Sequence, residues 1–323
     1  MRIAILDLGT NTFNLLIAET VPDGKIKILL SRKEPVNLGR EGINSGEISP
    51  HAFKRGILAI GSHMNYIRSY GAEQIHAFAT SAIRSAANGT TFVDAVYRKF
   101  NIAVRVISGD MEACLIYMGV RQAVNMNSEK HLILDIGGGS NELIIADHRK
   151  IYWKKSFTLG MARLLERFPP SDPIGKEEIL SIENYISRSL GSFTEAAMIH
   201  NPLTLIGSSG SFDTFRALHQ AAFKTETGNH GNITSYKIPP EDFFRIYRSL
   251  IESTSEERLK MEGMDPMRVE MIVIAGIFIN FIIRRLDIRQ LIQSDFALKE
   301  GAVLETFKHR IQSYRQEPVI LLT

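Results

Sequence analysis

Cysteine is almost missing from this sequence. Cys114 is the only one, so no intrachain disulfide can form, and a reducing compartment suits the chain. A single thiol also has no partner cysteine for a metal site, and we expect Cys114 to be a small core residue. The 9 histidines are scattered without the spacing of metal ligands, so they receive no role.

Long apolar runs are missing as well. The longest, residues 271–283, is shorter than the roughly 20 residues that span a bilayer, and it predicts a buried helix. The first residues lead directly into a strand, without the apolar h-region and cleavage site of a signal peptide. We therefore expect a cytoplasmic protein without a membrane partner.

Neither sign of charge is in excess. The chain has 38 Lys and Arg against 35 Asp and Glu, a net charge of +3, and no Lys/Arg block of the kind that nucleic-acid-binding arms show. This argues against a nucleic-acid partner, while a basic cleft for a polyanion stays compatible. Hydrophobic residues make up 44% of the 323 residues, a soluble globular balance at a length that suggests about two domains.

Apolar residues recur at spacings that alternate between strand and helix. Strands alternating with helices indicate an α/β fold. A polar linker at 125–129 marks the expected domain boundary, residues 79–84 a polar connection and residues 223–236 a surface loop. Helices are predicted over 53–67, 91–100, 111–124, 179–197, 240–252, 267–286 and 298–313.

The most informative stretch is a glycine-rich turn between two apolar runs. Residues 134–146 read Leu-Asp-Ile-Gly-Gly-Gly-Ser-Asn-Glu-Leu-Ile-Ile-Ala, which predicts a β-hairpin flanked by Asp135 and Glu142. Three glycines let backbone N–H groups approach phosphate, and the two carboxylates suit a divalent cation. Taken alone, the stretch is explained equally well by a plain hairpin with two solvated carboxylates.

A second turn near the start of the chain has the same shape. Residues 7–12, Asp-Leu-Gly-Thr-Asn-Thr, lie between apolar runs at 3–6 and 13–18. Both turns place Asp at the end of a strand, Gly two residues later, and then hydroxyl and amide residues. Two such units in one chain suggest two related domains that face each other.

Five motifs resemble, in order, the exopolyphosphatase/guanosine-pentaphosphate phosphohydrolase (Ppx/GppA) family. They are the two turns, Ala-Thr-Ser-Ala-Ile-Arg at 79–84, Ile-Ser-Gly-Asp-Met-Glu-Ala at 107–113 and Leu-Lys-Glu-Gly at 298–301. Phe-Thr-Leu-Gly-Met-Ala-Arg-Leu at 157–164 is also similar to a family segment. The resemblance covers essentially the whole chain, and several motifs in order are more specific than either turn alone.

The resemblance implies a fold. It predicts an α/β protein of two ribonuclease H-like domains, of the actin/sugar kinase/heat-shock ATPase superfold, with the active cleft between them. The expected first domain is 1–124 plus 299–323, because the terminal helix returns to it, and the second is 125–298. The chain resembles the short two-domain form of the family, and a homodimer is plausible on family grounds.

The resemblance also implies phosphate ligands, because a phosphoanhydride hydrolase must neutralise phosphate charge. Arg84 taken without it is more simply a solvated surface arginine, whereas the family position is expected to contact the polyanion. Arg163 and Arg268 are further candidate anion contacts. The expected ligands are N–H groups and side chains of both turns together with this arginine: Gly9, Thr10, Asn11, Arg84, Gly137, Gly138, Gly139 and Ser140.

Glu112 is the residue that the resemblance implies as the general base for the attacking water. Most family members have two adjacent glutamates here, and in this chain Met111 replaces the first. Asp110 can compensate partly in charge. The alternative interpretation of Glu112 is a carboxylate in the first turn of a helix, stabilised by the helix dipole.

Asp135 and Glu142 are expected to hold Mg²⁺, directly or through water. Asp7, their counterpart in the first domain, is expected to help hold the metal or the water. Two departures accompany this assignment. Asn14 stands where the family has a basic residue, and Gly-Ser-Ser-Gly-Ser at 207–211 stands where a Gly-Gly-Thr type turn is usual, which leaves it as a weaker ligand-contact candidate.

The function that the resemblance implies is an Mg²⁺-dependent exopolyphosphatase, which removes terminal phosphate from inorganic polyphosphate. The alternative substrate is guanosine pentaphosphate, hydrolysed by a 5'-phosphohydrolase to the tetraphosphate, and the sequence does not separate the two. A kinase of the same superfold is disfavoured because no segment resembles an adenine pocket. A non-catalytic polyphosphate or alarmone sensor stays open because of Met111.

Overall fold

Two six-stranded sheets organise the chain in the computed structural model, which describes residues 1–21, 26–224, 234–311 and 321–322. In the first part of the chain, three strands precede a long helix and two further strands follow it. In chain order the elements are β1 Arg2–Leu8, β2 Thr12–Thr20, β3 Ile26–Pro35, α1 Pro50–Ser69, β4 Gln74–Ala79, α2 Ser81–Ser85, α3 Gly89–Phe100, β5 Val104–Val106 and α4 Gly109–Ala123.

The second part repeats the alternation with longer helices. Its elements are β6 His131–Ile136, β7 Asn141–Ala146, β8 Ile151–Phe157, α5 Met161–Arg167, α6 Lys176–Ser189, α7 Gly191–His200, β9 Thr204–Ser208, α8 Gly210–Phe223, β10 Ser235–Ile238, α9 Pro240–Glu252, α10 Ser255–Leu259, a 3₁₀ turn at Pro266–Arg268, α11 Met271–Leu286 and β11 Gln290–Ser294. The chain ends with α12 Leu298–Ile311 and β12 Leu321–Leu322.

The chain divides into two units, Met1–Gln122 with Phe296–Thr323, and Ala123–Asp295. The first contains the sheet β12-β3-β2-β1-β4-β5, and the second contains β10-β11-β9-β6-β7-β8. In each, two antiparallel strands follow the first strand, and the next strand along the chain joins the other side of the first strand in parallel. This shared topology confirms the predicted α/β fold with two ribonuclease H-like units. The unit bounds lie a few residues from the predicted domain bounds.

Strand alternation decides which sheet face is covered by helices. In β6 and β7, Leu132, Leu134, Leu143 and Ile145 join the core that contains α8, α9 and α11, whereas Asp135 and Glu142 point to the opposite face. The predicted apolar helix is the buried α11. Within the described residues no helix is long and apolar enough to cross a membrane.

Several predicted elements differ from the structure. The helix expected over 179–197 is two helices, α6 and α7, because the chain leaves helical geometry at Leu190 and begins again at Gly191. The expected connection 79–84 contains the short helix α2. The loop expected over 223–236 lies partly outside the described residues, and its last two residues begin β10, an edge strand that pairs with β11.

Candidate active site

The two turns singled out in the sequence have the same hydrogen bond at their centre. Asp7 lies near the end of β1 and Asp135 near the end of β6. The Gly9 N–H donates to the Thr12 carbonyl at 3.1 Å, and the Gly137 N–H donates to the Ser140 carbonyl at 3.0 Å. These two N–H groups, expected to bind phosphate, are therefore used to close the turns.

The carbonyls of the triple-glycine turn are held from one side. Met161 N–H donates to the Gly137 carbonyl and Ala162 N–H to the Gly138 carbonyl, both at 2.9 Å. Arg163 Nε donates to the Gly139 carbonyl at 2.9 Å, so this arginine supports the turn. In a trans peptide the N–H points opposite to the preceding carbonyl. The N–H groups of residues 138–140 therefore point away from α5, the arrangement that suits an anion.

Gly160, a residue not identified from the sequence, lies against the triple-glycine turn. It caps α5, and a Cβ at this position would lie 2.3 Å from the Gly138 carbonyl oxygen and 2.4 Å from its carbon. No side chain fits there, so the absence of a Cβ lets α5 approach the turn. Residues 157–164 are similar to a family segment, which drew attention to this region. The similarity did not show that Gly160 allows the close approach of α5.

The turn after Asp7 is supported in a similar way by the segment after β3. The Asn11 carbonyl accepts from Val36 N–H at 2.9 Å and from Asn37 N–H at 2.8 Å, and the Thr10 carbonyl accepts from Leu38 N–H at 2.7 Å. Thr10 itself is buried. This segment therefore binds the carbonyls of the first turn, as α5 binds those of the second.

Two side chains adjust the surroundings of the first turn. Arg55 on α1 donates to the carbonyls of Val36 and Asn37 at 2.7 and 2.9 Å, which fixes the supporting segment. Asn14, where the family has a basic residue, donates through Nδ2 to Asp7 Oδ2 at 2.8 Å. Asp7 and Asn14 are register partners across β1 and β2. Asn14 thus orients the Asp7 carboxylate instead of contributing a charge.

A polar row crosses four strands of the second sheet, formed by Ser208, Asp135, Glu142 and Ser156. Asp135 pairs in register with Ser208 on β9 and with Glu142 on β7, and Glu142 pairs with Ser156 on β8. Ser156 donates to Glu142 Oε1 at 2.6 Å, and Ser208 donates to Asp135 Oδ2 at 2.7 Å. Both carboxylates are buried and lie on one sheet face.

This row fits a hard cation in donor type. Mg²⁺ is bound by one or two carboxylates plus water and substrate phosphate, and register pairing puts two carboxylates side by side. A complete protein cage is not present, because within the part of the chain that the structure describes no three His, Cys, Asp or Glu side chains gather as a metal site. The donor set is that of a site completed by water and phosphate.

The candidate loop at 207–211 lies where β9 passes into α8. Ser209 donates to both oxygens of Asp135, at 2.8 and 2.7 Å. Gly210 begins α8, and a Cβ there would lie 2.0 Å from Arg268 Nη2. The loop thus joins the Asp135 carboxylate to a guanidinium.

Arg268, a candidate anion contact from the sequence, lies beside Gly210 of this loop. Burial lowers the pKa of its guanidinium, and the charges of Asp265, Asp213 and Asp135 act to raise it. Among the described residues its guanidinium has no hydrogen-bond or ion-pair partner. A guanidinium has five donors, and at this position beside Gly210 it is suited to bidentate binding of phosphate.

The segment carrying Arg268 is held by a clamp of Arg258, Asp172 and Ser255, in which the Arg258 side chain is buried and that of Asp172 is exposed. Arg258 Nε donates to the Val269 carbonyl at 3.0 Å, and its Nη2 pairs with Asp172 at 2.9 Å. Ser255 donates to Asp172 from its N–H and its hydroxyl, and these bonds, with Arg258, lower the pKa of the Asp172 carboxyl. The clamp fixes the backbone one residue after Arg268.

Arg84 and Glu112, assigned separate roles from the sequence, form an ion pair. Arg84 Nη1 donates to Glu112 Oε2 at 2.8 Å and to the Ile107 carbonyl at 2.9 Å. Ser108 caps α4, since its hydroxyl accepts from Met111 N–H at 3.2 Å and its carbonyl accepts from Glu112 N–H at 3.0 Å. The Glu112 side chain is 9% exposed and that of Arg84 is 25% exposed.

Comparisons with known proteins match one family over most of the chain. The model of the Ppx/GppA phosphatase family matches residues 16–310. Exopolyphosphatase 1 of Mycobacterium leprae is 25% identical over 305 residues, which cover 94% of this chain and 89% of that protein. Exopolyphosphatase 2 of Mycobacterium tuberculosis is 26% identical over 315 residues, covering 94% of this chain and 98% of that protein.

Solved structures are similar over the same length. The crystal structure of an exopolyphosphatase from Cytophaga hutchinsonii has a TM-score of 0.92 and 35% identity, and the match covers 96% of this chain and 98% of that one. The PPX-GPPA enzyme of Aquifex aeolicus has a TM-score of 0.76 and 25% identity, covering 94% and 98%. Both similarities extend over both units.

Proposed function

Because the chain belongs to the Ppx/GppA phosphatase family, whose members hydrolyse phosphoanhydride bonds, we propose that it is an exopolyphosphatase. Its substrate is inorganic polyphosphate, and it releases the terminal phosphate with Mg²⁺ as cofactor. The observation that carries the proposal is the triple-glycine turn, whose carbonyls are bound by α5 and Arg163 so that the N–H groups of residues 138–140 face a ligand.

The second unit supplies the contacts to phosphate in this proposal. The N–H groups of Gly138, Gly139 and Ser140 bind phosphate oxygens, and Arg268 adds a bidentate contact. Asp135 and Glu142 hold Mg²⁺, which when bound supplies charge neutralisation of the phosphate oxygens. Glu142 and Asp135 are oriented by the serines that donate to them.

The first unit supplies the acid–base chemistry. Glu112 accepts the proton of the attacking water, as a carboxylate positioned for general base catalysis does. Arg84 neutralises this buried carboxylate before substrate binds. A phosphate of the incoming polyanion competes for the guanidinium, because Arg84 Nε and Nη2 make no hydrogen bond within the described residues. Substrate thus loosens the ion pair and exposes the base. Asp7, oriented by Asn14, helps hold the water or the metal.

The decisive experiment is phosphate release from polyphosphate with Mg²⁺, comparing the wild type with Glu112→Gln. We expect release by the wild type and a loss of roughly 10²- to 10⁴-fold in the variant, with polyphosphate binding retained. Glu241→Gln, an exposed carboxylate in the first turn of α9, is the matched control and should keep full activity. Equal rates for wild type and Glu112→Gln would remove Glu112 as the base.

Guanosine pentaphosphate forms a second arm of this assay. Faster release from it than from polyphosphate would identify the pentaphosphate as the substrate. Binding of either compound without release by the wild type would indicate a sensor. Asp135→Asn should raise the Mg²⁺ concentration needed for half-maximal activity, and an unchanged requirement would contradict the metal assignment.

The proposal includes two further points. The protein acts in the cytoplasm, which the single cysteine supports, and it forms a homodimer, as the family resemblance implies. Cell fractionation tests the first point. Sedimentation velocity of the purified protein tests the second, and a monomer at micromolar concentration would contradict it.

A further inference from the structure

Ser209 has a backbone conformation that is unfavourable for serine. It lies between β9 and α8 with φ at +73° and ψ at 174°. This region of positive φ and extended ψ is occupied almost solely by glycine, because a Cβ makes steric conflicts there. Gly207 and Gly210 lie in the same loop, yet this position has serine and not glycine. We therefore expect the serine side chain to make an interaction that offsets the cost of the backbone conformation.

The reason is its contact with Asp135. The Ser209 hydroxyl lies 2.8 Å from Oδ1 and 2.7 Å from Oδ2, so one hydrogen is shared between both carboxylate oxygens. Ser208 donates to Oδ2 at 2.7 Å as well. The hydroxyl of Ser209 therefore occupies the edge of the carboxylate between its two oxygens, which is the position of a cation chelated by both.

We propose that Ser209 is a specificity-determining residue that makes the Asp135 site prefer Mg²⁺ to Ca²⁺. Ca²⁺ accepts six to eight oxygens and often takes a carboxylate through both of its oxygens, whereas Mg²⁺ requires a small octahedral shell. With Ser209 on the chelating edge, Asp135 cannot offer both oxygens to one cation. This inference rests on the proposed role of Asp135 in binding a divalent cation.

Two substitutions separate the effect of losing the Ser209 hydroxyl from the effect of relieving the backbone conformation. Ser209→Gly removes the hydroxyl and relieves the conformation, whereas Ser209→Ala removes the hydroxyl and keeps the Cβ. Asn201→Gly is the control, since Asn201 is exposed in the same unit, has φ at +45° and ends α7 without contacting Asp135. It changes a residue of positive φ without altering the carboxylate.

The measurement uses each metal alone with the full-length protein. Titration calorimetry gives the affinities for Mg²⁺ and Ca²⁺, and thermal unfolding without metal gives the stability. We expect the affinity ratio of Mg²⁺ to Ca²⁺ to fall about tenfold or more in both Ser209 variants and to stay at the wild-type value in Asn201→Gly. Without metal, Ser209→Gly should unfold at a higher temperature than Ser209→Ala, because both variants lose the hydroxyl and its bonds to Asp135 whereas only glycine relieves the backbone conformation.

Three results would overturn the inference. An affinity ratio within twofold of wild type in both variants would show that the hydroxyl does not select the metal. A changed ratio in Ser209→Gly but not in Ser209→Ala would assign the effect to backbone relief. Failure of the wild type to bind either metal, both alone and with inorganic phosphate present, would remove the site itself. Because no substrate is present, these results are independent of whether the protein hydrolyses polyphosphate.

Discussion

Single residues carry the interactions on which the proposed chemistry depends. Glu112 and Arg84 lie 28 positions apart and form an ion pair of 2.8 Å. The roles expected for them, general base and phosphate ligand, are therefore coupled and not independent. In the proposed mechanism, Arg84 engages one oxygen of the Glu112 carboxylate until something competes for the guanidinium. The polyanionic substrate is the proposed competitor, so binding of substrate would release the carboxylate to act as base. On this proposal, activity depends on the length and charge of the ligand as well as on its terminal phosphate.

Arg268 provides the sharpest prediction at the residue scale. Arg268→Met removes two or more charge-assisted hydrogen bonds to phosphate, so we expect KM for polyphosphate to rise roughly 10- to 100-fold. The unfolding midpoint should not fall, because burial of the charged guanidinium outweighs the attraction of the nearby aspartates and the guanidinium makes no hydrogen bond among the described residues. Arg289→Met is the control, since Arg289 is exposed and its partner Asp287 lies 3.6 Å away. Unchanged KM in Arg268→Met would exclude it from the phosphate site.

His63 gives a pH prediction in the first unit. Burial lowers its pKa from 6.5, against the bond from Nε2 to the Phe13 carbonyl, and Nδ1 has no partner among the described residues. The unfolded state therefore takes up a proton before the folded state does as pH falls through 6.5. Stability conferred by neutral His63 is present above this pH and declines below it.

We expect the unfolding temperature to fall between pH 7.5 and 5.5, and to fall less in His63→Gln, which keeps a donor but does not titrate. His131, whose pKa burial also lowers, contributes in the same direction. His51→Gln on the exposed side of α1 is the matched control and should keep the wild-type slope. A wild-type slope in His63→Gln would contradict the assignment.

At the scale of elements, each turn is held by a neighbouring segment. In the second unit α5 holds the carbonyls of residues 137–139, and in the first unit the segment after β3 holds those of Thr10 and Asn11. The two supports differ in form, one a helix start and the other an extended segment fixed by Arg55. The common requirement is that turn carbonyls be bound on one side so that N–H groups point to the other.

Gly160→Ala tests this arrangement. The added methyl would overlap the Gly138 carbonyl, so α5 and the turn must separate. We expect a loss of about 1–3 kcal/mol in the free energy of unfolding and a fall of roughly 10²-fold in phosphate release, because the cradle is displaced. Chemical denaturation and steady-state kinetics measure the two effects.

Gly191→Ala serves as the control for this substitution. Gly191 also begins a helix of the second unit, and a Cβ there meets nothing within 4 Å. Its stability and activity should equal those of the wild type. If Gly160→Ala behaves in the same way, the close approach of α5 is not needed.

At the scale of the whole molecule, the chain leaves the first unit and returns to it. The second unit is inserted between Gln122 and Phe296, and α12 then packs on β1 and β2. Two glycines allow α12 to approach α4, since a Cβ at Gly301 would lie 1.8 Å from the Leu115 carbonyl oxygen and one at Gly119 would lie 2.0 Å from that of Ala297. Because α4 also carries Glu112, the packing of α12 on α4 and the position of the proposed base are linked.

Gly301→Ala should therefore weaken the packing of α12 on α4 and displace Glu112. We expect the first unit to lose about 1–3 kcal/mol of stability from the forced separation of α12 and α4, with activity falling as Glu112 moves. Gly61→Ala in α1 is the control, because a Cβ there makes only ordinary contact with Phe100, at 3.7 Å. It should gain about 0.5–1 kcal/mol from helix propensity. Equal midpoints for Gly301→Ala and wild type would contradict this close packing.

Features that depend on residues close together in the chain could be predicted from the sequence. Alternating apolar runs predicted the Asp135 hairpin, which β6 and β7 confirm, and residues Asp135 and Glu142 fell opposite each other because a short turn sets strand register. Motif order identified the family and its fold. The spacing of Ile182, Ile186 and Phe193 predicted one apolar face, although the helix that carries it is broken at Leu190.

Tertiary structure alone decided the contacts between distant residues. The pairs Arg84 with Glu112, Gly160 with Gly138, and Ser209 with Asp135 join separate elements. Their formation depends on how strands are ordered in a sheet and how closely helices approach it, which local sequence patterns do not encode. The residues of the candidate site could therefore be named from the sequence, but what orients each one could not.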